Sequence, residues 1–222
     1  MSARDDVYAN IRRSLGVDGR ETTRRAAVEQ RLSQVPRGIV PARGSLDTAG
    51  RLALFQAEAE AAAASVVRIV EPAAIASAVA LYLRAHNLAP ALRLALDPRI
   101  EAKAFAEIGL AVETGRAQAN DATGLSHALA GVAETGTLVL ASGPKSPTTL
   151  NFLPDNHIVI LRADDIESDY EAIWQRLRMD YGKGTMPRAV NLITGPSRSA
   201  DIEQEIILGA HGPRRLHILI VG

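Results

Sequence analysis

Apolar positions along this chain change their period several times. Near the start, Val7, Ile11 and Leu15 recur every four residues and form one helical stripe. Ser2, with Asp5 three residues on, makes a short capping box, and Gly16 is a stop. Residues 17–46 are rich in Arg, Gly and Pro and predict a linker or an arm that packs on another surface. A second helix is predicted over 47–64, where Leu52, Phe55, Ala59 and Ala62 share a face. From there, short apolar runs alternate with helical stripes. Strands are predicted at 66–70, 91–96, 108–112, 137–141, 157–161, 189–193 and 216–221. Helices are predicted from Pro72 (lined by Ile75, Val79 and Tyr82), after residue 98, over 166–180 and over 199–208. Residues 121–132 predict a loop with a short alanine-rich helix, and 142–155 a loop.

Strand–helix alternation predicts an α/β fold, a mainly parallel sheet covered by helices on both faces. The runs Ile158–Leu161 and Ile218–Val221 are continuously apolar, as strands buried on both faces are. We therefore expect an N-terminal helix and arm over 1–46 and an α/β domain over 47–222.

Composition narrows the function classes. Lys+Arg and Asp+Glu are equal at 25 each, which argues against a dedicated nucleic-acid binder. The chain has no cysteine, so disulfides, thiolate cluster ligation and cysteine nucleophiles within it are excluded. The charged start lacks an apolar signal core, and no apolar run approaches the roughly 20 residues that span a bilayer. A cytoplasmic protein without a membrane segment is expected. No dinucleotide or Walker glycine pattern is present, and no bound cofactor is expected.

Two blocks concentrate candidate chemistry. In Ala133-Glu-Thr-Gly-Thr-Leu-Val-Leu140, Glu134 and Thr135 sit at a glycine turn before a strand. Glu134 reads either as a nucleophile or general base, or as a turn-shaping acceptor. In Ile193-Thr-Gly-Pro-Ser-Arg-Ser199, a strand breaks at Gly195-Pro196 and a helix is predicted to start among hydroxyls. Its free N–H groups, with Ser197 and Arg198, suit a small anion. The bland alternative is a serine cap with Asp201 and Glu203 stabilising the helix dipole. Asn151 opens a polar stretch leading to His157, read either as a base or ligand or as a structural edge residue. The five histidines lack short metal-type spacing, so no metal is expected. Ser142-Gly-Pro-Lys-Ser146 reads as a lid or loop in which Lys145 steers an anion. Because parallel strands send their carboxyl ends to one edge, Glu134, Asn151, Thr194, Ser197 and Arg198 are expected to line one cleft, with Thr135 beside Glu134.

The motifs Ala133-Glu-Thr-Gly-Thr, Asn151-Phe-Leu-Pro-Asp-Asn-His-Ile and Ile193-Thr-Gly-Pro-Ser-Arg-Ser-Ala-Asp-Ile-Glu, followed by Leu208-Gly and His211-Gly-Pro, resemble the LUD domain family of lactate utilization protein C. The opening helix, Ser2 to Leu15, is similar to that family's start. The resemblance implies a fold like the NagB/RpiA/CoA-transferase group. It also implies a role in oxidising L-lactate to pyruvate beside two iron–sulfur partner proteins with cysteine-rich motifs. Lacking cysteine, this chain is neither of them and is expected to be a non-redox accessory subunit. One alternative is a stand-alone enzyme of CoA-transferase or sugar-phosphate-isomerase type that uses Glu134. Another is a module that senses lactate or a related acid. Related CoA transferases place the nucleophilic glutamate next to Asn-Gly, and Thr135 here replaces that asparagine. The sequence leaves the oligomeric state open.

Overall fold

The structure, a computed structural model, describes residues 2–202, 205–209 and 211–222; for 199–202 and 205–208 it describes the backbone alone. The chain forms two compact units, residues 1–40 and 41–222. In the first, helix α1 (Ala3–Leu15) carries the expected capping box and ends at Gly16 with φ 63°. Helix α2 (Thr22–Gln34) lies where a linker or arm was predicted. It is built of Arg, Gln and Ala, good helix formers that leave no strong apolar stripe to read.

In the second unit the elements run α3 (Thr48–Ala61), β1 (Ser65–Ile69), α4 (Ile75–Ala85), β2 (Ala91–Leu94), α5 (Ala102–Glu107), β3 (Ala111–Thr114), β4 (Thr123–His127), β5 (Ala130–Val132) and β6 (Thr137–Ala141). There follow α6 (Thr149–Phe152), β7 (Asn156–Arg162), β8 (Ile166–Glu167), α7 (Tyr170–Tyr181), β9 (Val190–Ile193), β10 (Arg198–Ile202), β11 (Glu205–Leu208) and β12 (Arg215–Val221).

Six strands form a wholly parallel sheet in the order β1-β12-β7-β4-β2-β3. The period of two sorts its side chains. Ile158, Ile160, Leu219 and Val221 face α4 and α5, packing with Val79, Leu83 and Phe105. Val159, Leu161, Ile218 and Ile220 face the other way, onto Phe55 and Ala59 of α3. Helices thus cover both faces. On the α3 side a second sheet, β8-β5-β6-β9, shares the cover through Leu138 and Leu140. The outer side of that sheet buries Val132 and Val139 against Ile173 and Leu177 of α7.

Two further sequence expectations need correction. Residues 121–132 hold strands β4 and β5 rather than a loop and helix. Their small residues are demanded by close packing: a Cβ on Gly124 would lie 2.9 Å from Pro154 Cγ, and one on Gly131 2.8 Å from Phe55 Cε2. Those strands therefore lack the β-branched signature. Within 199–208, expected as a helix, the described residues lie in two antiparallel strands, in which Arg198 pairs with Leu208 and Ile202 with Glu205. The isoleucines at 202, 206 and 207 are β-branched and suit extended backbone. Among the described residues, no helix is long and apolar enough to cross a membrane.

Candidate functional site

The two motif blocks meet on α3. Gly136, in the β5–β6 turn, has φ 62°, and a Cβ there would lie 2.2 Å from the Ala59 nitrogen. Gly195, after β9, has φ 71°, and its Cβ would lie 2.1 Å from the Ala62 carbonyl oxygen. Both turns need the left-handed region and the missing side chain to close on one helix end. Between them lies a hydroxyl cluster. Thr137 Oγ1 is 2.6 Å from Thr194 Oγ1, 2.7 Å from Thr135 Oγ1 and 3.0 Å from the Tyr170 hydroxyl. Tyr170 also contacts Thr135 Oγ1 at 3.1 Å.

Beyond this cluster is a cleft of about 270 Å³. Asn151, His157, Thr194, Ser197, Arg198 and His211 supply its polar lining. The loop before β10 is tied to the segment before β12, with Ser197 N–H donating to the Pro213 carbonyl at 2.9 Å and Gly209 N–H to the Ser197 carbonyl at 3.0 Å. Arg198 donates to the Ala62 carbonyl at 2.7 Å, which fixes the guanidinium and leaves its other donors.

The floor of the cleft is unusual. His157 is 1% exposed and its Nε2 contacts Ser126 Oγ at 2.7 Å. Burial pushes its pKa down to about 4, so the ring is neutral near pH 7. Its Nδ1 and the Asn151 Oδ1 are both buried without a hydrogen-bond partner. Such orphaned groups are rare and costly in a fold, which makes them candidates for ligand contact.

Of the predicted site residues, the structure brings Asn151, Thr194, Ser197 and Arg198 into this cleft. Thr135 joins them indirectly, through Thr137. Glu134 is not among the lining residues. It is 5% exposed, its N–H donates to the Ser168 carbonyl at 3.3 Å, and among the described residues its carboxylate has no hydrogen bond or ion pair. Two further parts of the expectation fail. The cleft lies at the amino ends of β7 and β12, because Asn151 and the 211–213 segment precede those strands. And Ser197–Arg198 opens a strand, so no helix N-terminus is available there for an anion. Thr137 and Ser126 were not singled out in the sequence, and Tyr170 reads there as a core or boundary residue, because Thr194, Thr137 and His157, which they contact, lie 31 to 57 residues away. Among the described residues, no three His, Asp or Glu side chains are grouped to hold a metal ion.

Comparison with known proteins adds the following. The family model of the LUD domain matches residues 45–221. An uncharacterized protein of Neisseria meningitidis serogroup B is 39% identical over 99 residues, 44% of this chain and 41% of that protein. Lactate utilization protein C of a Geobacillus species is 37% identical over 91 residues, 40% of this chain and 38% of its own length. The matched stretch thus spans well under half of these relatives. A crystal structure of a DUF162 family protein from Deinococcus radiodurans superposes with a TM-score of 0.57 at 22% identity, covering 80% of this chain and 99% of that one. At that identity the likeness is one of fold.

Proposed function

Because this chain belongs to the LUD domain family, we propose that it is a cytoplasmic, non-redox subunit of an L-lactate utilization system that binds a small carboxylate or phosphate anion. The pathway comes from the relatives named lactate utilization protein C. Anion binding is carried by one observation: a cleft with Ser197 and Arg198 at its polar wall and two unpartnered buried atoms, Asn151 Oδ1 and His157 Nδ1, at its floor. In this reading Arg198 attracts the anionic group and the floor receives the polar remainder of the ligand.

Oxidation of lactate to pyruvate requires an acceptor for two electrons. Cysteine thiolates to ligate a cluster are absent from this sequence, and the proposal assigns electron transfer to iron–sulfur partner proteins. The test is to purify the chain alone, record its visible spectrum and assay lactate-dependent dye reduction with and without those partners. A colourless protein, inactive alone and required for turnover by the mixture, is expected. A bound flavin, or turnover by the chain alone, overturns the reading.

A second reading, an enzyme of CoA-transferase or sugar-phosphate-isomerase type, draws on Glu134, nearly buried and with no hydrogen bond or ion pair to its carboxylate among the described residues. It predicts a covalent adduct or a proton transfer at that carboxylate.

A further inference from the structure

A different cleft, of about 410 Å³, lies at the opposite edge of the six-stranded sheet. It is lined by His127, the last residue of β4, by the Asp97–Arg99 loop after β2, and by Ser142, Lys145 and Ser146 after β6. His127 and the Asp97–Arg99 loop lie at the carboxyl ends of the parallel strands β4 and β2, the edge where open α/β sheets bind ligands, and the β6 loop of the second sheet closes the cleft from the side.

Three features make it a built site. First, His127 is 7% exposed, and its Nδ1 lies 2.8 Å from the Ala128 carbonyl oxygen. A carbonyl only accepts, so Nδ1 carries the proton and Nε2 holds a lone pair. Nε2 has no hydrogen bond among the described residues. Burial first, and then the nearby Arg99 charge, lower the pKa of the ring and keep it neutral. Asp97 and Asp165 act in the opposite direction and are outweighed.

Second, the Ser142–Ser146 loop is held in place. Ser142 N–H donates to the Ala189 carbonyl at 2.9 Å, and Ala189 N–H donates to Ser142 Oγ at 2.8 Å. Gly143 and Ser146 exchange backbone hydrogen bonds of 3.1 Å in both directions. The turn presents Lys145 ready-placed, with no ion pair to it among the described residues. Third, the other charges are already matched. Arg99 grips Asp97 through two hydrogen bonds, and Asp165 is paired with Arg176 at 2.7 Å. The uncompensated charge of the cleft is therefore that of Lys145.

We propose that this cleft is a second ligand site, for a small anion that also carries a hydroxyl group. Lys145 and the Ser142 hydroxyl hold the anionic group, while the ligand hydroxyl donates to His127 Nε2. An anion without a hydroxyl leaves that acceptor unmet. A hydroxycarboxylate and a phosphorylated alcohol share this chemistry.

The full chain is titrated with L-lactate and, separately, with glycerol 3-phosphate, following the side-chain resonances of His127 and His157 by NMR. Propionate and n-propyl phosphate, the deoxy counterparts that lack the alcohol, are the controls. The expected result is a saturable shift of His127 with at least one hydroxylated anion. Its control should bind at least tenfold more weakly, and Lys145→Ala should weaken binding at least tenfold. Saturation by lactate alone identifies a hydroxycarboxylate site; saturation by glycerol 3-phosphate alone identifies a phosphate site. The Lys145 variant changes an exposed turn residue, so it tests the site without threatening the core. A shift confined to His157 reports the Asn151 cleft and overturns this second site. So does equal binding of the deoxy controls, or binding indifferent to Lys145. Failure of a shift at His157 bears on the first cleft alone.

Discussion

Glu134 shows what a single residue was able to reveal and what it hid. The sequence marks it as a carboxylate at a glycine turn. Its burial becomes visible only in three dimensions. Among the described residues the carboxylate makes no hydrogen bond or ion pair that its removal would break, so removing the charge at constant shape should not harm the fold. If Glu134 acts chemically, as in the second reading, Glu134→Gln is expected to leave the melting temperature unchanged or raise it, and to reduce lactate-dependent activity of the assembled system at least a hundredfold. The measurement pairs thermal unfolding with an activity assay at matched protein levels. Wild-type activity in the variant would return Glu134 to a turn-shaping role. His157 was read as either base or structural residue. Its environment could not be anticipated, since Ser126 is 31 residues away in sequence.

At the scale of elements, legibility tracks how apolar a segment is. β7 and β12 are long unbroken runs and were readable. β4 and β5 are short and broken by Gly124 and Gly131, where neighbours press against the backbone, and they were not. The glycine turns were readable as turns, but their reason, the approach to α3, was not. That approach gives a direct test. Gly195→Ala forces a side chain into the left-handed region and against the Ala62 carbonyl. A cost of about 2–4 kcal/mol is expected, part from conformation and part from displaced packing. Urea unfolding measures it. A loss below about 0.5 kcal/mol would show that the turn sits free of α3.

Across the whole molecule, buried imidazoles tie stability to pH. His157 and His217 both have pKa values lowered to about 4, chiefly by burial. In the unfolded chain they protonate near the ordinary value of about 6.5. Their contribution is therefore complete above that value and is lost as the pH falls toward 4. For His157 the loss is on the order of 3 kcal/mol. Asp121 acts lower on the scale. Burial alone would raise its pKa, but hydrogen bonds from Arg93 and the Gln118 N–H hold it below the usual range. Its contribution is present above about pH 4 and disappears below it. Denaturant titrations at pH 7 and pH 4.5 should differ by several kcal/mol, and His157→Gln should narrow the gap. Equal stability at the two pH values would refute this account.

The position of β12 has a consequence for how the protein is made. This strand is last in the chain, yet it lies between β1 and β7 and is the partner of β1 in the sheet. His217 stacks on Tyr82 at 4.0 Å and contacts Ser65, 152 residues earlier. During synthesis β1 and α4 emerge early, but the place beside β1 stays empty until residues 215–221 leave the ribosome. The earlier segment thus waits while the 152 residues from Ser65 to His217 are made, with an unpaired edge and an open apolar face, a state that chaperones recognise and that aggregation exploits.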